Sequence, residues 1–208
     1  MPTKGKIKSK YPKLKEIWKK VDGRGNYQKP NQRLFNAANC LNALKRQKGL
    51  NALDIGCNNG ILSVVASDKF DSVVGIDTDR DNKNVILKAK KTADFFGKDN
   101  CKFYEMSFLN YIEKGKWKEH KINSFLGFQV LYHLNDKEIS VLKKLLPDIK
   151  MCVISIRPEV GDRIEPGKPA NKLGLYTIDQ VKDFFSPYFS KFEMYNEKTR
   201  WPTLIIQK

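Results

Sequence analysis

Residues 53–60 read LDIGCNNG, and this stretch decides which fold the rest of the chain must complete. An apolar run ends in Asp54 and Ile55, Gly56 and Gly60 follow, and a helical pattern begins at residue 61. Gly56 permits a tight turn and a close approach of the backbone to a ligand, whereas Gly60 permits close packing at the start of the helix. A strand that enters a helix through such a turn predicts an α/β fold with a nucleotide-type ligand at the turn.

The end of the second predicted strand restricts the kind of ligand. It reads GID, and its last residue, Asp77, lies 21 residues after Gly56, where a carboxylate can accept hydrogen bonds from ribose hydroxyls. The dinucleotide fingerprint G-x-G-x-x-G requires a glycine where Asn58 stands, and Gly60 has the wrong spacing for its third glycine. NAD and FAD are therefore disfavoured. Asp54 can engage a cationic amino-acid group, which favours S-adenosylmethionine, and another nucleotide ligand stays open as an alternative.

Strand and helix patterns alternate along the chain. A first helix is predicted at residues 31–47, ended by Gly49, and the other helices at 61–69, 81–96, 136–146 and 177–185. The strands are predicted at residues 50–55, 72–76, 101–105, 123–130, 151–156, 192–196 and 203–206. The pattern predicts a doubly wound, mostly parallel seven-stranded sheet with helices on both faces and a C-terminal antiparallel hairpin. In such sheets the ligand lies at the carboxyl ends of the strands.

The distribution of charge divides the chain into a basic front and a nearly balanced body. The 208 residues carry 39 Lys and Arg against 23 Asp and Glu, a net charge of +16. Residues 1–50 hold 14 of the basic residues and two acidic ones, so +12 lies there and only +4 in residues 51–208. We predict a basic N-terminal extension, residues 1–30, before one domain, residues 31–208. The extension favours polyanionic partners, with a merely solvated tail as the alternative.

Several classes of protein are excluded by what the sequence lacks. No apolar run approaches the roughly 18–20 residues that span a bilayer, and no apolar stretch follows the Lys-rich start, so neither a transmembrane segment nor a secretory signal is predicted. The four cysteines are at least 17 residues apart and there are two histidines, so no metal site is expected. We expect a soluble, intracellular and cytoplasmic protein.

Taken together, these motifs resemble those of class I S-adenosylmethionine-dependent methyltransferases over residues 31–208. Residues 54–60 are similar to the first motif of that family and residues 75–77 to its second. Residues 130–134, VLYHL, are similar to its fourth-strand segment, and residues 192–206 to its last hairpin. The GCNxG turn and the VLYH segment also resemble RNA-directed members, including tRNA wobble-uridine modifying enzymes and small-RNA phosphate-capping methyltransferases.

The resemblance implies S-adenosyl-L-methionine as cofactor and assigns a role to each matching residue. Asp54 would orient the methionine end, Asp77 would hold the ribose hydroxyls and Thr78 would border the adenine. The other residues implied to bind the cofactor are Gly56, Cys57, Asn58, Gly60, Ser107 and Gln129.

Two positions depart from the family pattern. Ser107 stands where many members have an acid that meets the adenine amine, and Asn123 stands where many have an Asp at the start of the fourth strand. Both departures concern residues that the family pattern would place at the adenine. They leave open the alternative of an inactive methyltransferase-like scaffold.

Few residues are obligatory in methyl transfer, because the enzyme mainly aligns the reacting atoms. His133 is the candidate catalytic residue, since an imidazole can take a proton from a hydroxyl or an amine, and its alternative is to cap or pack the next helix. Tyr132 is a candidate wall of the substrate pocket or a core residue. Arg157 and Arg163 can clamp a substrate phosphate or carboxylate, or stay solvated.

We therefore expect methyl transfer to an oxygen or nitrogen atom of RNA or of another polyanion. No Asn/Asp-Pro-Pro-Tyr or Pro-Cys motif follows the fourth strand, which disfavours the usual base-amine and cytosine C5 chemistries. A small-molecule methyltransferase with an incidental basic tail and a non-catalytic binding module stay open. The sequence leaves the oligomeric state undetermined.

Overall fold

The computed structural model describes residues 32–78, 84–156, 175, 177–195 and 202–208. The basic segment 1–30, together with Arg157 and Arg163, lies outside the described residues.

The described helices and strands alternate through most of the chain. The helices are α1 (Gln32–Ala43), α2 (Ile61–Ala66), α3 (Val85–Phe96), α4 (Phe108–Glu113), α5 (Lys116–Glu119), α6 (Asp136–Leu145) and α7 (Ile178–Phe185). The strands are β1 (Gln47–Ile55), β2 (Phe70–Asp77), β3 (Cys101–Glu105), β4 (Ser124–Phe128), β5 (Met151–Ser155), β6 (Lys191–Tyr195) and β7 (Thr203–Gln207). Short 3₁₀ turns occur at Leu131–His133 and Leu146–Asp148.

The strands form one seven-stranded sheet in the order β3-β2-β1-β4-β5-β7-β6. The first five strands in this order are parallel, whereas β7 pairs antiparallel with both β5 and β6. The predicted fold class, including the C-terminal antiparallel pair, is confirmed. The chain runs outward from β1 to β3 and then returns to β4 on the other side of β1, so the strand order switches between β1 and β4. A ligand crevice is expected at the carboxyl ends of these two strands.

Helices cover both faces of the sheet. Alternate residues of a strand point to opposite faces, and accordingly Leu53 and Ile55 belong to one apolar cluster and Ala52 to another. The cluster around Leu53 includes residues of α4, α6 and α7, and the cluster around Ala52 includes residues of α1 and α2. A third cluster joins α3 to Phe103 of β3. Among the described residues, no helix has the length and apolar character that crossing a membrane requires.

The first helix is shorter than its sequence pattern predicts. It ends at Ala43, and residues 47–49, at the predicted end of the helix, belong to β1. The ammonium group of Lys69 donates to the carbonyl oxygens of Asn42 (2.8 Å) and Leu44 (2.6 Å), which satisfies the end of the helix. Gly49 therefore does not end the helix: it has a φ of 74° at an irregularity of β1. Lys69 lies too far along the chain for a local pattern to show this ending.

Two further differences lie between β3 and α6. The sequence pattern extends the fourth strand to residue 130, but the strand ends at Phe128 because Gln129 adopts a left-handed conformation, with a φ of 59°. The short helices α4 and α5 are not predicted by the pattern. Ser107 is the local signal for α4, since its hydroxyl accepts a hydrogen bond from the backbone of Asn110 as an N-cap.

Asn123 joins the starts of two strands. Its Oδ1 accepts a hydrogen bond from the backbone N–H of Asn51 (2.8 Å), and its Nδ2 donates to the carbonyl oxygen of Gly49 (2.9 Å). These hydrogen bonds lie at the amino end of the sheet, opposite the predicted ligand crevice. The departure from the family pattern at Asn123 therefore concerns this junction and not the adenine contacts.

We predict that Asn123→Asp destabilises the fold. An aspartate accepts from Asn51 but cannot donate to Gly49, so a carboxylate would face a carbonyl oxygen. The free energy of unfolding should fall by about 1–3 kcal/mol, measured by urea denaturation. Asn135→Asp is the matched control, because Asn135 acts only as an acceptor at the N-cap of α6, a role that aspartate fills equally well. Equal losses in the two variants would contradict the assigned role of Asn123.

Candidate active site

A cavity of about 660 Å³ opens at the carboxyl ends of β1, β2 and β4. This is the place that the strand order predicts for a ligand. The cavity brings together most of the site residues expected from the sequence: Asp54, Gly56, Cys57, Asn58, Asp77, Thr78, Ser107, Gln129, Tyr132 and His133. Gly60 does not line it.

The turn after β1 is tied to the end of β2 by backbone hydrogen bonds. The N–H groups of Gly56 and Cys57 both donate to the carbonyl oxygen of Ile76, at 2.9 and 3.0 Å. Asn58 follows in the left-handed region, with a φ of 49°, which asparagine tolerates better than most side chains. Gly56 has a φ of 72°, and a Cβ atom there would lie 3.1 Å from Cγ2 of Val130. The turn therefore needs glycine at this position for both conformation and space.

Gly60 allows the turn to pack against α3. A Cβ atom at Gly60 would lie 2.8 Å from Cβ of Ala89 and 3.0 Å from Cε1 of Phe103, and the φ of this residue is 74°. The packing role expected for Gly60 is confirmed. Gly75 approaches the same ring, since a Cβ atom there would lie 2.6 Å from Cδ1 of Phe103. Two glycines thus leave room for one aromatic ring beneath the site.

Asp77 closes the turn as well as facing the cavity. One carboxylate oxygen accepts from the backbone N–H of Asn58 (2.9 Å), and the other accepts from the N–H of Thr78 (2.7 Å). Each oxygen keeps a second lone pair that can accept a ligand hydroxyl. The sequence predicted a ligand contact for Asp77 but not its role in holding the turn.

Asp54 is a buried carboxylate beside the cavity. Its side chain is only 2% exposed, and its Oδ2 accepts a hydrogen bond from the hydroxyl group of Ser63 at 2.5 Å. Burial raises the pKa of Asp54 to about 7, the Ser63 hydrogen bond opposes this rise, and the nearby Asp77 adds to it. A cationic group in the cavity would stabilise the ionised form. The arrangement therefore suits a ligand that has both a ribose and an ammonium group.

The adenine side of the predicted site is formed by the ends of β2 and β3. Thr78 and Ser107 line the cavity together with Met106 and Phe108. The Ser107 hydroxyl is already the N-cap acceptor of α4, but its O–H can still donate. Apolar walls that also carry the Ser107 hydroxyl group and Thr78 can accommodate a purine ring, so a carboxylate in addition to Asp54 and Asp77 is not required.

Tyr132 and His133 form the other wall, on the 3₁₀ turn after β4. Their rings lie 4.3 Å apart between centroids, and His133 is exposed whereas Tyr132 is half-buried. The N-cap of α6 is Asn135, which forms a capping box with Glu138, so His133 does not cap that helix. Glu138 also lines the cavity. An exposed imidazole at the rim can exchange a proton with both a substrate and solvent.

The structure adds several lining residues that the sequence did not indicate. Leu34 and Ala37 of α1 and Phe128 at the end of β4 contribute apolar surface. No local motif marks Leu34 and Ala37, because α1 reaches the cavity only through its packing on the sheet. Among the described residues, no group of His, Cys, Asp and Glu could hold a metal ion. All four cysteines are free thiols.

Sequence comparison agrees with this architecture. The sequence model of a family described as "Methyltransferase domain" matches residues 46–182, about two thirds of the chain. No curated protein matches the sequence.

Solved structures with the same fold include methyltransferases with different acceptors. A magnesium protoporphyrin IX methyltransferase from Synechocystis PCC 6803, with bound SAH, is 14% identical, with a TM-score of 0.58 and coverage of 93% of each chain. The methyltransferase domain of a bacterial Hen1 protein is 13% identical (TM-score 0.55), covering 85% of this chain and 96% of that one. An rRNA methylase from Streptococcus thermophilus is 12% identical (TM-score 0.52), covering 88% and 99%. At such identities the likeness establishes the fold alone.

We predict that Gly60→Ala destabilises the protein by about 2–4 kcal/mol, because the new methyl group overlaps Ala89 and Phe103 and the backbone is strained. Urea denaturation measures the loss. Gly115→Ala is the matched control, since its φ is 69° but a Cβ atom there meets nothing within 4 Å. The control should lose only the conformational part, about 1–2 kcal/mol. If both variants lose the same amount, close packing at Gly60 is not what the turn requires.

Proposed function

The chain belongs to the methyltransferase-domain family, and we propose that it transfers a methyl group from S-adenosylmethionine to an oxygen or nitrogen atom of RNA. Its fold is that of the class I S-adenosylmethionine-dependent enzymes. The observation that carries the proposal is the cavity at the switch between β1 and β4, where a glycine turn and two carboxylates converge. The RNA substrate is inferred from the charge of the front end.

The residues around the cavity fit the cofactor group by group. Asp77 would accept hydrogen bonds from the ribose hydroxyls, Asp54 would pair with the ammonium group, and Thr78 and Ser107 would border the adenine. The other residues proposed to contact the cofactor lie on the surrounding loops: Gly56, Cys57, Asn58 and Gln129. When bound, S-adenosylmethionine supplies a methyl group on a positively charged sulfur, which makes that carbon electrophilic. The protein has to align an acceptor with this carbon and remove a proton where the acceptor carries one.

On the acceptor side, His133 would take the proton from the attacking hydroxyl or amine. Its exposed position at the rim allows the proton to pass on to solvent. Tyr132 would form a wall against the acceptor group. Arg157 and Arg163 are proposed to hold a phosphate of the substrate.

The basic front end supports a polyanionic substrate. A net charge of +12 on residues 1–50 is attracted to a phosphate backbone, and Tyr11, Trp18 and Tyr27 are interleaved with the lysines. Aromatic side chains can stack on unpaired bases, which favours a single-stranded nucleic acid over polyanions that carry no bases. We propose residues 1–30 as an RNA-binding extension and residues 31–208 as the catalytic domain. The expected cytoplasmic location stays a prediction.

A small-molecule acceptor is the second candidate. The match to the porphyrin methyltransferase covers 93% of each chain. A fold of this size is therefore compatible with a small-molecule acceptor. In that case the basic front end would have no part in substrate binding.

We predict that tritium from labelled S-adenosylmethionine appears in the RNA fraction when the protein is incubated separately with cellular RNA, protein and small metabolites.

Replacing Lys4, Lys6, Lys8 and Lys10 by Gln should weaken RNA binding about tenfold at low salt. The plot of log affinity against log salt should become shallower by about 0.7 for each phosphate that the variant no longer neutralises. Fluorescence anisotropy with a labelled single-stranded RNA measures both quantities.

The control replaces four exposed lysines of the body, Lys90, Lys91, Lys144 and Lys150, by Gln and so removes the same charge. If both quadruple variants lose affinity equally, binding depends on total charge and not on the extension. Label that appears only in the metabolite fraction would replace RNA by the small-molecule acceptor.

We predict that His133→Asn lowers the rate constant of methyl transfer by about 10²–10⁴-fold and leaves the dissociation constant of S-adenosylmethionine within about twofold, because His133 acts on the acceptor. Single-turnover kinetics and calorimetry measure the two quantities. Lys137→Gln, at an exposed position of α6 beyond the cavity, is the control and should leave both unchanged. Unchanged transfer in His133→Asn would remove His133 from the mechanism.

A further inference from the structure

A buried pair, Asp54 and Ser63, lies beside the cavity, and the proposed function so far makes no use of Ser63. The Ser63 side chain is 0% exposed and Asp54 is 2% exposed. The Ser63 hydroxyl donates to Oδ2 of Asp54 at 2.5 Å, while Asp54 lines the cavity and Ser63 does not. Ser63 is in the first turn of α2, directly after the glycine turn. The turn therefore brings together a carboxylate at a strand end and a hydroxyl donor behind it.

We propose that Ser63 is a positioning residue for the cofactor: its hydroxyl group keeps the Asp54 carboxylate ionised at the cavity, where it pairs with the ammonium group of S-adenosylmethionine. The inference rests on the proposed function, because it requires a ligand with an ammonium group. Ser63 itself does not touch the ligand. It acts through Asp54, by offsetting part of the cost of a buried negative charge.

The surroundings of Asp54 explain why one donor matters. Asp77 lines the same cavity and disfavours a second negative charge, and Glu138 and His133 also face the cavity. Burial raises the pKa of the thiols of Cys57 and Cys101, so these two neighbours stay neutral. The Asp54 pKa of about 7 lies near physiological pH, and loss of the Ser63 hydrogen bond raises it further. A proton and the ligand ammonium group therefore compete for one carboxylate.

This competition has a defined sign. Below the pKa of the ligand-free carboxyl group, Asp54 is protonated and must release its proton to solvent before it can pair with a cation. The affinity for an ammonium ligand therefore falls about tenfold per pH unit below that pKa and levels off above it. In the ligand-free protein, the pH dependence of folding stability has the opposite sign. The pKa of Asp54 in the folded state lies above the ordinary 3.8, so the free energy of unfolding decreases as pH rises from about 4 to about 7.

The test is isothermal titration calorimetry of the full chain with S-adenosylhomocysteine, which has the ammonium group, at pH 6, 7 and 8.5. We expect wild-type affinity to be about tenfold weaker at pH 6 than at pH 8.5. In Ser63→Ala the pH below which affinity falls should be higher by about one unit. Affinity should then be about fivefold weaker than in the wild type at pH 7 but nearly normal at pH 8.5. Ser63→Thr, which keeps the hydroxyl, should restore the wild-type profile.

Three controls separate this role from a structural one. Ser67→Ala removes another buried serine, whose hydroxyl donates to the carbonyl oxygen of Val64, and should leave the profile unchanged. Asp54→Asn should weaken binding and abolish its dependence on pH, since the carboxyl group that titrates is then absent. 5′-Methylthioadenosine, which has the adenosine part without the ammonium group, should bind all variants with the same affinity at every pH.

Each outcome decides between the two proposals. If the wild-type protein binds S-adenosylhomocysteine at no pH, the proposed function fails and the role of Ser63 fails with it. If the ligand binds but Ser63→Ala weakens it equally at all three pH values, Ser63 is only structural and the proposed function stands. If Ser63→Ala or Ser63→Thr folds poorly, two other results still overturn the positioning role. One is a wild-type affinity that does not vary with pH, and the other is a pH profile that Asp54→Asn retains.

Discussion

The hydrogen bonds between the turn after β1 and the end of β2 are the interaction on which the site depends. Parallel pairing sets Ile55 level with Ile76, so the turn starts beside the last carbonyl groups of β2. Gly56 and Cys57 share the carbonyl oxygen of Ile76, and Asp77 accepts from the next N–H group. These bonds fix the backbone of the turn before any ligand arrives. Asp77 is consequently a ligand-facing group and a structural one, and no substitution at this position separates the two roles fully.

The second constraint is the cost of burying Asp54. A carboxylate with little access to water resists ionisation, and a second carboxylate in the same cavity increases the resistance. Perturbed acids of this kind are concentrated at functional sites, since a ligand can compensate their cost. The fold supplies one partial compensation through the hydrogen bond from Ser63, and we propose that the ligand supplies the other. Stability of the empty protein and affinity for a cation are thereby linked through one group.

We propose that parts of the protein outside the cofactor site select the acceptor. Proteins with this fold include an rRNA methylase and a magnesium protoporphyrin IX methyltransferase, so the architecture by itself does not determine the substrate. In this chain the features proposed for that selection are the rim, with Tyr132 and His133 on the turn after β4, and the charge of the front end. The concentration of +12 in the first 50 residues is the property of this chain that favours a polyanion.

The fold class, the place of the cavity and most of its polar residues can be predicted from the sequence. These follow from local features: the alternation of apolar residues, the spacing of Gly56 and Gly60, and Asp77 at a strand end. Tertiary structure alone decided that α1 ends at Ala43, that Asn123 joins two strand starts, and that Ser63 lies against Asp54. It also placed Leu34 and Ala37 on the cavity wall. Most of these outcomes depend on hydrogen bonds or packing between residues distant in sequence. Even Asp54 and Ser63, which are nine positions apart, come into contact only through a turn whose path is set by β2. A local pattern specifies what each segment can form, whereas the partners that select among those forms exist only once the sheet has assembled.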